Sequence, residues 1–153
     1  FLMREYFLGE EFTKQDVKQM NPLVLAYIGD AVYEIFIRTY IVSRNKDTCV
    51  NKLHKKTIQF VKANAQSYFI KEIQEYLNEE EIRIFKRGRN TKSNTAAKNA
   101  CIQDYRMATG FEAVIGYLYL LNENERLEEI MKLVINLYEE SLQNKGENNG
   151  VKS

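Results

Sequence analysis

The sequence predicts a single all-α domain. Apolar residues recur at spacings of three and four along most of its 153 residues, which is typical of helices that bury one face. One proline and seven glycines leave little room for the many tight turns of a β-protein. No segment shows a convincing strand-like alternation, and 44% hydrophobic with 28% charged residues suit a folded core.

The first strong helix is predicted from Asn21 to about Ser43. Asn21 supplies an N-cap, and Pro22 takes the first helical position, where a missing N–H costs nothing. The polar stretch SRNKDT, which starts at Ser43, ends the helix. The residues expected on its buried face are Leu25, Ile28, Val32, Ile35, Phe36 and Thr39.

A second long helix is predicted from about Val50 to Leu77. Its expected core stripe consists of Leu53, Thr57, Phe60, Val61, Ala65 and Tyr68. The acidic run 79–81 opens a short helix that ends near Phe85, because acids suit the positive end of the helix dipole. The segment KRGRNTKSNTAAKNA, from Lys86, is predicted to be a loop, since Gly, Asn, Ser and Thr dominate it.

Two further helices complete the predicted domain. One covers about Ala100 to Leu121, and an amphipathic one spans about Glu123 to Leu142. The tail NKGENNGVKS is polar and carries two glycines, so we expect it to be disordered. The domain is therefore predicted at residues 1–143 and the tail at residues 144–153.

Several classes of protein are excluded by composition. Cys49 and Cys101 lack metal-ligand spacing, so we expect two reduced thiols in an intracellular protein. No apolar run approaches the roughly 18 residues of a membrane span, and the N-terminus does not resemble a secretion signal. We therefore expect a cytoplasmic protein. The single histidine, His54, excludes HD-type phosphohydrolases and His-rich zinc sites.

Two carboxylates lie in otherwise apolar helical segments. Asp30 stands within LAYIGDAVYEIF directly after Gly29, and Glu112 stands within ATGFEAVIGYLYLL. Ala108 and Gly116 lie one turn before and one turn after Glu112. Small neighbours let another helix approach each acid closely, so the two acids can share one site.

A carboxylate in such a place needs a partner. The simplest partner is a basic side chain, such as Arg38 for Asp30 or Arg106 for Glu112. The alternative is a shared Mg²⁺, which proteins commonly hold with one or two carboxylates while water and substrate phosphates complete the octahedron. The residues alone leave both interpretations open.

Basic residues are concentrated in two segments without acids, residues 48–71 and 86–103, while acids gather at residues 72–81 and in the last helix. In the first segment, Lys52, Lys55, Lys56, Gln59, Lys62 and Gln66 follow helical spacing and are expected on one polar face. This segregation favours a track for a nucleic-acid backbone over an ordinary solvated surface. The candidate RNA-binding residues are Lys52, Lys55, Lys56, Lys62, Lys86, Arg87, Arg89, Asn90, Lys92 and Lys98.

These motifs together resemble the ribonuclease III family. LAYIGDAVYE is similar to the signature helix of its catalytic domains, and ATGFEAVIGYLYLL is similar to their second acidic helix; the likeness covers roughly residues 20–140. The short chain and KRGRNTKSNT resemble the stand-alone branch, Mini-ribonuclease III, which lacks a double-stranded-RNA-binding domain.

The resemblance implies a homodimeric endoribonuclease that cuts double-stranded RNA with Mg²⁺ and leaves 5′-phosphate and 3′-hydroxyl ends. It also implies a substrate, the stem of the large-subunit (23S) ribosomal RNA precursor of Gram-positive bacteria, and leaves room for a ribosomal protein as a further partner. Some large apolar residues of the early helices could pack against the second subunit, with an ordinary core as the alternative. They are Tyr27, Tyr33, Phe36, Ile37 and Tyr40.

Site residues follow from the resemblance only where the motifs match. Asp30 matches the aspartate of the Gly-Asp motif, and Glu112 matches the glutamate of the Phe-Glu-Ala segment, so both are implied to be catalytic and to bind the metal. Full-length members carry further acids at the positions of Leu23, Ala26 and Thr109. Two alternatives therefore stand beside an enzyme: a non-catalytic RNA-binding or ribosome-assembly protein on the same fold, and a helical protein-interaction module.

Overall fold

The computed structural model describes residues 12–92 and 101–150. Within these residues the chain forms α-helices, one short 3₁₀-helix and no strand, which confirms the all-α prediction. In chain order the elements are α1 (Lys14–Gln19), α2 (Pro22–Arg44), α3 (Val50–Val61), α4 (Ala63–Ile73), the 3₁₀-helix (Gln74–Tyr76), α5 (Glu79–Asn90), α6 (Ile102–Leu120) and α7 (Asn124–Gly150). None of the helices in this part of the chain is long and apolar enough to cross a membrane.

Helix α6 lies at the centre and packs against α2, α4 and α5. A helix that is apolar on all sides is stable only when other elements surround it. The buried residues of α6 occupy nearly every position from Met107 to Leu120. This central position places Glu112, which α6 carries, within the body of the domain.

Helix α2 begins as predicted. The Asn21 side-chain oxygen accepts a hydrogen bond from the Leu23 N–H at 2.9 Å, and Pro22 is the first helical residue. The predicted buried face is partly wrong, because Ile35 is 58% exposed and Thr39 is also exposed. The core face instead follows positions four apart, namely Leu25, Gly29, Tyr33, Ile37 and Ile41. Gly29 explains why this face is buried, since its missing side chain lets α6 approach there.

The long helix predicted over residues 50–77 is wrong, because the chain breaks between α3 and α4. Lys62 adopts an extended conformation, with φ −62° and ψ 149°, and serves as the C-cap of α3 and the N-cap of α4. Neither Gly nor Pro marks this break in the sequence. Its effect is a rotation of α4: Tyr68 is 44% exposed, whereas Gln66, expected on the lysine face, is 1% exposed.

The loop predicted from Lys86 is wrong for its first part, since α5 runs on to Asn90. Gly88 is buried within this helix, and a Cβ there would lie 2.9 Å from the Cα of Gly110 on α6. The glycine thus serves close packing between two helices, not a turn. Residues 93–100 of the predicted loop, among them Lys98, lie outside the described residues.

Both ends of the described chain also differ from prediction. Helix α1 was not predicted, although Thr13 and Asp16 form a capping box at its start. Helix α7 extends past Leu142 to Gly150, so residues 144–150 are helical where disorder was expected. Glu, Gln and Lys are good helix formers, and no proline interrupts this segment, so the helix can continue into solvent. The domain boundary at residue 143 stays a prediction.

Candidate active site

The two acidic helices cross at an unusually short separation. A Cβ at Gly29 of α2 would lie 1.7 Å from the carbonyl oxygen of Glu112, and a Cβ at Gly116 of α6 would lie 1.9 Å from the carbonyl oxygen of Leu25. Only glycine fits at either position without moving a helix. Asp30, the next residue after Gly29, therefore stands beside the crossing that carries Glu112.

The negative charge of Asp30 acts on Glu112. Burial raises the pKa of Glu112 to about 8, and the negative charge of Asp30 contributes to this rise. Asp30 is more exposed, and its own pKa is raised first by partial burial and then by the charge of Glu34. A like charge acts in this way only over short range. The structure thus brings together the two acids that the sequence singled out.

The basic partners considered from the sequence do not serve these acids. The Arg38 guanidinium lies 2.6 Å from a carboxylate oxygen of Glu34, one turn earlier on α2. Arg106 is exposed, and within residues 12–92 and 101–150 no ion pair links a basic side chain to Asp30 or Glu112. Within the described residues, therefore, no basic side chain neutralises either acid.

Gln66 is a residue of this site that sequence reasoning missed. Its amide nitrogen donates to a carboxylate oxygen of Glu112 at 3.0 Å and to the carbonyl oxygen of Val61 at 2.9 Å. This hydrogen bond favours the charged form of Glu112 and lowers its pKa, but less than burial and Asp30 raise it. One signal could have found Gln66: it precedes Phe69, Ile70 and Ile73 at spacings of three, four and seven, which puts a polar residue on the apolar stripe of α4.

The residues at the crossing fit a Mg²⁺ ion held by two protein carboxylates. Leu23 and Ala26 are apolar, and the Thr109 hydroxyl donates to the Tyr105 carbonyl within its own helix at 2.9 Å. Accordingly, the described residues contain no group of three or more His, Cys, Asp or Glu placed to hold a metal. Mg²⁺ keeps several waters and takes one or two carboxylates plus substrate phosphates, so two acids meet its needs.

The predicted RNA-binding lysines of the first basic segment lie on or next to α3. Lys52, Lys55, Lys56 and Lys62 are all exposed. The Lys56 ammonium donates to the side-chain oxygen of Asn45, and the Lys62 ammonium donates to the Gln59 amide oxygen at 3.2 Å. Because these partners are neutral, both lysines keep their positive charge available to a polyanion.

The second basic segment lies at the C-terminal end of α5. Lys86, Asn90 and Lys92 are exposed, and the Arg89 guanidinium stacks 5.5 Å from the ring centre of Phe85. Arg89 and Asn90 line a cavity of about 340 Å³ together with Ile102, Gln103, Arg106 and Met107 of α6. Two arginines, Arg89 and Arg106, thus line this cavity.

Arg87 differs from its neighbours. Its guanidinium donates to the backbone carbonyls of Lys18 at 2.7 Å and of Met20 at 3.3 Å. These bonds join α5 to the end of α1, so Arg87 has a structural role whether or not it also contacts RNA.

Comparisons with known proteins agree on one family. Residues 23–123 match the Ribonuclease III domain. A Mini-ribonuclease 3 of Clostridium tetani is 89% identical over 99% of this chain and 100% of its own length, and one of a Thermoanaerobacter species is 53% identical over 86% and 92%. The crystal structure of a Fusobacterium nucleatum protein has a TM-score of 0.71 with 35% identity, covering 79% of this chain and 96% of its own. The chain therefore belongs to the ribonuclease III family.

Proposed function

We propose that this chain is an endoribonuclease that cuts double-stranded RNA with Mg²⁺ and matures the 23S ribosomal RNA precursor in the cytoplasm. The observation that carries the proposal is the pairing of Asp30 with Glu112 at the crossing of α2 and α6, without a basic side chain to neutralise them in the described part of the chain. Family membership and the names of the relatives give the pair its reaction class.

Asp30 and Glu112 would hold the cation through their carboxylate oxygens. When bound, Mg²⁺ lowers the pKa of a coordinated water and offsets charge on the scissile phosphate. Glu112 must be ionised for this task, although its burial favours the neutral form. Attack of water on phosphorus with departure of the ribose 3′ oxygen gives a 5′-phosphate and a 3′-hydroxyl end.

The two basic segments would hold the RNA backbone. The close contact of Gly88 with Gly110 packs the basic end of α5 against the face of α6 opposite Glu112, because residues two apart in a helix point in opposite directions. In the other segment, Lys62 follows Val61, whose carbonyl accepts from the same Gln66 amide that donates to Glu112. A-form duplexes are recognised mainly through shape, phosphates and 2′-hydroxyls, which suits exposed lysines and arginines.

An exposed apolar face on α2 supports a homodimer. Val24, Tyr27, Ile35 and Val42 are 46%, 78%, 58% and 50% exposed, and they lie on the side of α2 opposite its core face. We call these four residues the α2 apolar face. Several exposed apolar side chains on one side of a helix suit an interaction site, and a second copy of the same helix matches them under two-fold symmetry. Each strand of a duplex would then meet one equivalent pair of acids.

Of the residues considered for this interface from the sequence, only some remain candidates. Tyr27 is the most exposed, Phe36 and Tyr40 are half-buried, and Tyr33 and Ile37 belong to the core of the subunit.

A non-catalytic RNA-binding or ribosome-assembly protein is the second candidate. The apolar Leu23 and Ala26 and the internally bonded Thr109 favour it, because they stand where fuller members of the family carry acids. The two functions are separated by incubating the purified protein with a synthetic RNA duplex, labelled on both strands, in Mg²⁺ or in EDTA. Cutting of the duplex only in Mg²⁺ supports the enzyme, whereas binding without cutting supports the alternative.

The substrate is tested in the same assay. A duplex with the sequence of the 23S precursor stem should be cut faster than an unrelated duplex of equal length. Equal rates on both duplexes would contradict a preference for the precursor stem. A contribution from a ribosomal protein would appear as a faster cut of the stem after ribosomal proteins are added.

A further inference from the structure

The break between α3 and α4 has a consequence for the acidic site. In an unbroken helix the Val61 carbonyl would accept from the Ala65 N–H. Here the N–H groups of Ala65 and Gln66 both bond to the Lys62 carbonyl, at 3.1 Å each. The break therefore frees the last carbonyl groups of α3 for partners outside the helix.

Two of these freed carbonyls bind side chains that lead to the acids. The Val61 carbonyl accepts from the Gln66 amide, which also donates to Glu112. The Phe60 carbonyl accepts from the Tyr33 hydroxyl at 2.8 Å, and Tyr33 lies three residues after Asp30 on α2. The Tyr33 ring also packs edge-to-face on Phe111, with ring centres 5.3 Å apart. The end of α3 is thus hydrogen-bonded to groups next to both acids.

The orientation of the Gln66 amide is fixed by its surroundings. Both of its close partners, a backbone carbonyl and a carboxylate, are acceptors, so the nitrogen must face them. The amide oxygen is buried and has no hydrogen-bond partner among the described residues. The Gln66 amide therefore uses its N–H donors while its buried oxygen stays unpaired. This arrangement indicates that the two donated hydrogen bonds are what the side chain contributes here.

We infer that Gln66 is a positioning residue that holds one carboxylate oxygen of Glu112 and orients the other toward the cation. The inference rests on the proposed function. Carboxylates that ligate metals are themselves hydrogen-bonded by a second set of residues, and loss of such a residue typically lowers metal affinity or activity by about 10- to 100-fold. Gln66 satisfies that description through a buried side chain on a helix that carries neither acid.

The test measures thermal unfolding of the full chain while Mg²⁺ is titrated, so its readout needs no cleavage. Gln66→Met keeps the volume but removes the donor. The Mg²⁺ concentration at the midpoint of the stabilisation should rise by about 10- to 100-fold relative to the wild type. The Mg²⁺ concentration for half-maximal cleavage of an RNA duplex should rise in parallel, while RNA affinity measured in EDTA stays the same.

Ser67→Ala is the matched control. Ser67 is the next residue, is also buried, and its hydroxyl has no hydrogen-bond partner within residues 12–92 and 101–150. Its replacement should leave the Mg²⁺ midpoint in place. If Gln66→Met fails to fold, Gln66→Asn, whose shorter amide cannot reach both partners, should show the same rise.

The outcomes separate the two proposals. A lower melting temperature at every Mg²⁺ concentration with an unmoved midpoint means a merely structural role and overturns the inference alone. A wild type that neither gains stability with Mg²⁺ nor cuts the duplex overturns the proposed function, and the inference with it. A midpoint that moves in Gln66→Met but not in Ser67→Ala supports the inference.

Discussion

Gly29 and Gly116 face each other across the crossing of α2 and α6. A Cβ on Gly29 would lie 2.8 Å from the Gly116 nitrogen, and a Cβ on Gly116 would lie 3.1 Å from the Gly29 nitrogen. The contacts are with backbone atoms, which cannot rotate away as a flexible side chain can. This pair of glycines sets the separation of the helices and hence the position of Asp30 relative to Glu112.

Gly29→Ala should therefore destabilise the protein strongly. The added methyl group meets the backbone of Glu112, so α2 and α6 must separate, and we expect a loss of about 3 kcal/mol or more in the free energy of unfolding. Urea denaturation measures this loss. Gly146→Ala is the control, because a Cβ there meets nothing within 4 Å and should be neutral or stabilise α7 slightly. Equal stability of Gly29→Ala and the wild type would show that the crossing is looser than described.

The raised pKa of Glu112 makes stability depend on pH when Mg²⁺ is absent. Between its ordinary value of 4.5 and about 8, the unfolded chain has lost this proton while the native protein keeps it. The native state then binds more protons, so the contribution of Glu112 to stability is greatest below pH 4.5 and falls as the pH rises to 8. Denaturation at pH 5, 6.5 and 8 should show that the free energy of unfolding falls less steeply with pH for Glu112→Gln than for the wild type. Part of the fall should remain, because the pKa of Asp30 is also raised.

Mg²⁺ should reverse much of this trend, because a cation favours the ionised carboxylates. The control is Glu128→Gln, which removes an exposed glutamate of α7 and should keep the slope of the wild type. The same pH slope in Glu112→Gln and in the wild type would contradict a buried, coupled Glu112.

The α3 lysines should contribute to RNA binding through charge. Replacing Lys52 and Lys55 together by Ala should weaken duplex binding and lower the slope of log affinity against log salt by up to about one unit per lost phosphate contact. Fluorescence anisotropy at several salt concentrations gives the slope. Replacing Lys132 and Lys145, two exposed lysines of α7, changes the net charge equally and should leave the slope unchanged. Arg87 is a poor choice for this test, because its loss also frees the carbonyls of Lys18 and Met20.

A charge on the α2 apolar face should dissociate the dimer. Ile35→Lys places an ammonium on this face, and the lost apolar contact alone, worth about 1.5–3 kcal/mol per buried side chain, weakens association at least about tenfold. Sedimentation equilibrium of the wild type should show a dimer and that of the variant a monomer. Tyr76→Lys alters an equally exposed apolar residue away from α2, at 57% exposure, and should keep the dimer. A monomeric wild type at working concentration would refute the homodimer.

A mixed dimer would then show how the sites are built. One wild-type subunit paired with one Asp30→Asn subunit should nick a single strand of the duplex if each subunit holds its own pair of acids. A dimer of one Asp30→Asn and one Glu112→Gln subunit should cut neither strand. One strand cut by that second dimer would mean that acids from different subunits form each site.

Sequence patterns predict the helices of this fold well where a clear N-cap or a long apolar run marks them. The cap at Asn21 and Pro22 and the apolar run around Glu112 locate α2 and α6 closely. The same patterns fail where a contact between helices determines the buried face or the end of a helix. Gly29 lets α6 approach closely, and this contact determines which face of α2 is buried. The composition around Gly88 indicates a loop, but packing of Gly88 on Gly110 stabilises a helix there.

The candidate site shows the same division. Asp30 and Glu112 could be selected because a charge within an apolar helix conflicts with its surroundings. Gln66 is harder to find, because the break at Lys62 that buries it carries no Gly or Pro signal, and an unbroken helix would leave it in solvent beside the lysines. Only its spacing from the apolar stripe of α4 indicates burial. The backbone conformation of Lys62 determines whether Gln66 faces water or Glu112.

The proposed function requires Asp30 and Glu112 to act together in cutting double-stranded RNA. The most direct measurement is single-turnover cleavage of a duplex labelled on both strands, in saturating Mg²⁺, by the wild type, Asp30→Asn and Glu112→Gln, with duplex affinity measured on the same preparations in EDTA. Each variant should lose at least about 100-fold in cleavage rate, since loss of a ligand exceeds the roughly 10- to 100-fold cost of losing a residue that orients one, and each should bind the duplex as well as the wild type. Cleavage by either variant at a rate near that of the wild type would contradict the account.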